Sequence, residues 1–178
     1  MARARQSDYF DNTLFVFVAD HGPSPDPRQV VDVEGYRVPC LLYAPALADL
    51  APRRVDTTCS QVDLLPTVLG LLGGDVSHGT FGRDLFALDA TEPGLAVLRK
   101  DRATALVRGN LALVLLPSNK PLLLRVGPNG RAQPIATTGA EIEAMHRIAL
   151  GVYRTARRLF LSRTYGEGPA TNSAGTRR

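Results

Sequence analysis

A carboxylate and an imidazole stand side by side at Asp20 and His21, directly after an apolar run, residues 13–19, and directly before Gly22. Aspartate with histidine is a standard donor pair for zinc or manganese, one a hard oxygen and the other a ring lone pair. Their position suits that chemistry, because ligands of α/β proteins gather at the carboxyl ends of strands. Neighbours in a strand point to opposite faces, and a turn at Gly22 lets the two side chains converge. On residue types alone the alternative is that Asp20 caps a turn and His21 is incidental. Two donors do not fill a coordination shell. Thr13 and Ser24 flank the pair as a strand start and a loop residue, so no catalytic residue is assigned. Asp63 reads as a helix cap, and His146 as solvated. Cys40 and Cys59 sit among apolar residues without a CxxC pattern and read as buried free thiols.

The elements that must position Asp20 and His21 follow from periodicity. TLFVFVA at 13–19 is continuously apolar and rich in β-branched and aromatic residues, which predicts a strand covered on both faces, as in a parallel sheet. Residues 23–35 read as a polar loop. A second strand is predicted within 36–44, beginning after Pro39, which cannot donate to a ladder. A short helix is predicted from Asp63 to Leu72, ended by Gly73-Gly74, and residues 75–102 read as loop-rich. Three further strands are predicted near 103–108, 111–116 and 121–126, with Gly109-Asn110 as a hairpin turn. They form a small antiparallel sheet distinct from the first. The last element is a helix with apolar residues at 142, 145, 148, 149, 152, 153, 156, 159 and 160. Thr138 with Glu141 makes a capping box, and Arg157 and Arg158 suit the far end of the dipole. Arg147, Arg154 and Arg158 share one helix face, read as solvated.

The chain has 178 residues, room for one domain with a real core. A net charge of +4 is carried almost wholly by arginine, since Lys100 and Lys120 are the only lysines. The basic residues are scattered without aromatic interleaving, which argues against a nucleic-acid partner. The start is polar and has no signal-peptide pattern. No apolar run approaches the roughly 18 residues that suggest a bilayer span.

Four motifs, in order, carry a resemblance: DNTLFVFVADHG from Asp11 to Gly22, YRVPCLLYAP from Tyr36 to Pro45, SQVDLLPTVLGLLG from Ser60 to Gly73, and HGTFGRDL from His78 to Leu85. They resemble the metal strand, the following strand, the packing helix and the next segment of the sulfatase and alkaline-phosphatase superfamily. The likeness is strongest to the lipoteichoic-acid-synthase-like phosphoglycerol transferases. ALGVYRTA in the final helix is similar to the C-terminal helix of that branch, so the resemblance runs over about residues 9–165.

The resemblance implies an α/β fold: a partial alkaline-phosphatase-like α/β/α sheet, then a small antiparallel sheet and a C-terminal helix. The expected division is 1–100 as the C-terminal half of the core, 101–165 as the small sheet plus amphipathic helix, and 166–178 as a disordered tail. Asp20 and His21 would be metal ligands, and His78 a substrate-binding residue or else a loop histidine. The cofactor implied is a divalent metal, manganese or zinc, with calcium or magnesium as alternatives, in an incomplete site. The parent reaction is attack on a phosphate or sulfate ester beside that metal, on a phospholipid or glycan ester. The parent enzyme is anchored in the inner membrane with its catalytic domain outside. The expected partner is a missing N-terminal half carrying the nucleophile and the membrane helices. The chain is thus read as a fragment inactive alone, with a non-catalytic binding module or the subunit of a split enzyme as alternatives.

Overall fold

The computed structural model describes residues 1–164, apart from 24–25, 48–49, 51, 74–76, 118–119, 129–130 and 137–138. The predicted tail at 166–178 and Thr138 of the predicted capping box lie outside the described residues, as does Ser24. Two short strands, β1 (Phe15–Val18) and β2 (Cys40–Tyr43), form one sheet. Helix α1 (Leu64–Leu72) follows, entered through a 3-10 turn at Gln61–Asp63. A five-stranded meander comes next: β3 (Ala96–Lys100), β4 (Ala103–Arg108), β5 (Leu111–Leu115), β6 (Leu122–Val126) and β7 (Ala132–Pro134). Helix α2 (Ala140–Ser162) ends the described chain.

The pairing of β1 corrects the sequence reading. Its partner β2 runs antiparallel, Val18 opposite Cys40, and Phe17, Val18 and Leu41 are exposed. A parallel partner needs a crossover, usually a helix. Among the described residues between β1 and β2 there is only a 3-10 turn at Glu34–Tyr36, so the chain doubles back. The start of β1 is held by aromatics: Phe10 is buried, with its ring 5.5 Å from that of Phe15 and 6.2 Å from that of Tyr43.

Coverage on both faces belongs instead to the five-stranded sheet. Ala105, Val107, Ala112, Val114 and Leu124 face one way, packed with Val31 and Val33 from the 23–35 segment. Leu106, Leu113 and Leu123 face the other way and meet Met145 and Ala149 of α2. Small side chains therefore floor the loop and large ones seat the helix. The 23–35 segment is more than a polar loop. Asp32 accepts from the backbone amides of Asp26 and Gly35, at 2.8 and 3.1 Å, and Lys100 of β3 donates to the carbonyls of Asp26 and Gln29, at 3.2 and 2.6 Å. Arg28 forks onto Asp26 and depresses that carboxyl to about 2. Strands β4 to β6 appear where expected. β3 and β7 were not expected, and β3 corrects the reading of 75–102 as loop-rich; both are short and carry charge or, at the sheet edge, Pro134.

α1 and the sheet are tied by one buried ion pair. Asp63 accepts from the backbone amides of Ser60 (2.9 Å) and Arg83 (2.8 Å), and its carboxylate meets the Arg83 guanidinium at 3.1 Å. Arg83 also donates to the Leu95 carbonyl at 2.9 Å, just before β3. Asp63 is thus a capping-box residue with Ser60 as well as an ion-pair partner. Thr67, fully buried, donates to the Asp63 carbonyl at 2.7 Å and accepts from the Leu85 amide at 3.0 Å. The Gly82 backbone lies so close that an added Cβ would sit 1.8 Å from the Val62 carbonyl oxygen. The N-cap of α2 is Gly139 with φ 124° and no side-chain cap, while Glu141 and Glu143 sit in its first turn. Its last turn holds no basic residue, so Arg157 and Arg158 fall short of the predicted dipole position.

Three substitutions should separate these contributions in denaturant unfolding. Asp63→Ala leaves a largely buried guanidinium unpaired and should cost roughly 3–5 kcal/mol. Gly82→Ala should be at least as damaging, since backbone must move. Gly151→Ala, on the exposed side of α2 with nothing within 4 Å of the new Cβ, should stabilise by about 0.5–1 kcal/mol.

Candidate metal centre

Asp20 and His21 lie just past the end of β1. The His21 amide donates to Oδ1 of Asp20 at 2.9 Å, and Nδ1 of His21 lies 2.8 Å from the Gly22 carbonyl oxygen. A carbonyl oxygen can only accept, so Nδ1 carries the proton and, in the neutral ring, Nε2 holds the lone pair. That nitrogen is 3.7 Å from Oδ2 of Asp20. Two donors on one tetrahedral zinc stand about 3.4 Å apart, so the pair is close to the span one ion requires. A backbone carbonyl fixing the tautomer from the other side of the ring is the usual support for a metal-binding imidazole.

Gly22 is needed for proximity rather than for a turn: a Cβ there would lie 2.3 Å from the Gly35 carbonyl oxygen and 2.9 Å from that of Arg37. Gln61, at the entry to α1, donates from Nε2 to the carbonyls of Ala19 and Asp20 at 2.8 and 3.1 Å. Nothing in the sequence marked Gln61; its role emerges only when α1 is docked.

Both candidate ligands open into a cleft of about 1110 Å³ that runs between the β1–β2 unit and the five-stranded sheet. Arg37, Arg54 and Arg99 also line it, and sequence reasoning passed over them. Arg37 pairs with Glu34 at 3.1 Å and Arg54 with Asp56 at 2.6 Å. Cys40 and Cys59 line the cleft too; both are free and exposed, which corrects the expectation of buried thiols. Cys40 opens β2 and Cys59 lies in the segment before α1. Partial desolvation raises both thiols above their ordinary range. His78 is exposed, with Nδ1 3.0 Å from the Thr80 hydroxyl, and does not line this cleft.

The donor chemistry of Asp20 and His21 fits a divalent ion, but the shell is not complete. Among the described residues no group of three or more His, Cys, Asp or Glu side chains could hold a metal.

The Gly22 carbonyl first, and the Asp20 carboxylate second, raise the His21 imidazole above its ordinary 6.5. Folding therefore favours the protonated ring. Its contribution to stability is present below pH 6.5, is lost as pH rises through the higher folded value, and is screened because the ring is exposed. An NMR titration should give a His21 midpoint above 6.5. Asp20→Asn should lower it only partway, since the larger contribution, from Gly22, remains. A native midpoint at or below 6.5 would contradict this geometry.

A family model described as Sulfatase matches residues 1–74. The lipoteichoic acid synthase-like protein YvgJ of Bacillus subtilis is 30% identical over 115 residues, covering 54% of this chain and 18% of YvgJ. An ulvan-active sulfatase of Formosa agariphila is 33% identical over 85 residues, covering 44% of this chain and 17% of the enzyme. A crystal structure of an alkaline phosphatase superfamily protein from Vibrio parahaemolyticus superposes with a TM-score of 0.79 at 25% identity, over 92% of this chain and 39% of that one. The chain thus spans less than a fifth of the curated relatives it matches. The partial family match, the two relatives and the solved structure together support a likeness to the sulfatase and alkaline-phosphatase superfamily.

Proposed function

We propose that this chain supplies Asp20 and His21 as two metal donors to an enzyme that transfers or hydrolyses a phosphate or sulfate ester. Phosphoglycerol transfer is the preferred reaction, after the likeness to the lipoteichoic acid synthase-like relative. The observation that supports it most is the His21 ring, held by the Gly22 carbonyl so that Nε2 and an Asp20 oxygen stand 3.7 Å apart. A bound divalent ion would stabilise an alkoxide nucleophile and the charge developing on the transferred group. Around it, Gln61 holds the backbone of Asp20 in place, and Arg99 adds a cation suited to an anionic ester, beside Arg37 and Arg54, which are paired with Glu34 and Asp56. The nucleophile, the remaining ligands and any membrane anchor are assigned to parts of the enzyme outside this stretch. No described helix is long and apolar enough to cross a membrane.

A second reading, a binding module without chemistry, has one observation in its favour. The five-stranded sheet with α2 and the 31–33 segment closes two buried clusters by itself. A monodisperse monomer with cooperative unfolding would favour that reading, and association through β1 and β2 would favour the half-site.

Manganese titrated into isotope-labelled chain should broaden the resonances of residues 20–22 first. Asp20→Ala or His21→Ala should each weaken that effect by roughly tenfold or more. Broadening centred elsewhere would remove the metal assignment. With aryl phosphate or aryl sulfate and manganese or zinc, the isolated chain should show no turnover. Turnover abolished by Asp20→Ala would keep the metal site and overturn the division of labour.

A further inference from the structure

We infer that the C-terminal half of α2 is a docking surface for an anionic lipid membrane. The apolar stripe of α2 begins as core: Met145 and Ala149 are buried against Leu106, Leu113 and Leu123. At helical spacing the same stripe continues through Val152, Tyr153, Ala156, Leu159 and Phe160. There it runs off the sheet. Tyr153 is 43% exposed and Phe160 72%, while Leu161, also exposed, lies among Arg154, Arg157 and Arg158 outside the stripe. The helix packs on β4 and β5, and its buried residues, Met145 and Ala149, both lie in its first half.

The charge on this segment names the occupant. After Glu143, α2 and its cap contain no acidic residue and five arginines: Arg147, Arg154, Arg157, Arg158 and Arg163. Arg147, Arg154 and Arg158 fall on the face opposite the stripe, and Arg157 borders it. None of these arginines forms an ion pair among the described residues. Large apolar side chains on one face with arginines around the other are the pattern of a helix that lies in a membrane interface. An unpaired cationic cluster selects anionic headgroups over neutral ones. A protein partner covering the stripe would leave those arginines without a role, whereas a lipid surface engages both.

This inference does not depend on the metal reading, and its test uses neither metal nor turnover. The chain should float with vesicles of phosphatidylcholine containing phosphatidylglycerol, should not float with phosphatidylcholine alone, and should dissociate as salt is raised. Tyr153→Ser with Phe160→Ser should weaken binding about tenfold or more by removing inserted apolar surface. Arg157→Glu with Arg158→Glu should do the same by charge. All four positions are exposed, so circular dichroism should be unchanged by either pair. Equal binding to neutral vesicles, no binding, or binding indifferent to both pairs would overturn the inference. So would a dimer abolished by the Tyr153 and Phe160 pair without vesicle binding, which would assign the stripe to a second copy.

Discussion

The buried pair of Asp63 and Arg83 is the constraint on which the rest of this structure depends. One carboxylate accepts the amide that opens the α1 turn, the amide of Arg83 and the guanidinium of the same residue. Through Arg83 it reaches the Leu95 carbonyl, and the Leu95 amide in turn donates to Thr58 at 2.8 Å. A closed circuit of polar contacts thus joins the turn before α1, the segment after it and the first strand of the large sheet. Because α1 is placed this way, Gln61 reaches the end of β1, and the loop bearing Asp20 and His21 has a fixed backbone. A buried pair of this kind contributes less as raw stability than as orientation, since burying charge offsets much of its attraction.

The fold was largely legible where local signals were strong. Strands β4 to β6, the Gly109 hairpin, α1 and α2 all follow from periodicity and turn residues. Strands β3 and β7 were not legible, because three to five residues with Arg99, Lys100 or Pro134 give no clear alternation. The continuous apolar run at β1 was read as a strand covered on both faces. Such a run reports intended burial, not the partner, and here part of it is exposed. Conversely, Val31 and Val33 looked like members of a polar loop, and only the tertiary structure shows them closing one face of the sheet. The cysteines were misplaced for a related reason: apolar neighbours in sequence do not guarantee cover in space.

The candidate centre was legible as residue types and not as geometry. Asp20 and His21 could be chosen from the strand end alone. The tautomer could not, since it depends on the Gly22 carbonyl folding back toward the ring. Nor could the arginines of the cleft, which arrive from three separate segments. The terminal helix shows the same limit. Its stripe was evident from spacing, but where the stripe leaves the sheet depends on how far β4 and β5 extend beneath it.

The alanines at 105 and 112 form a flat floor under the segment that carries Val31 and Val33. That segment leads directly to Gly35 and Arg37, whose carbonyls press against Gly22. A bulkier residue on the floor would have to lift the segment, and the lift would arrive at Gly22 as a change in spacing beside His21. Positions deep in the far sheet thereby act as shims for the cleft. A genetic screen for altered cleft behaviour should recover changes there, in residues that never meet a ligand.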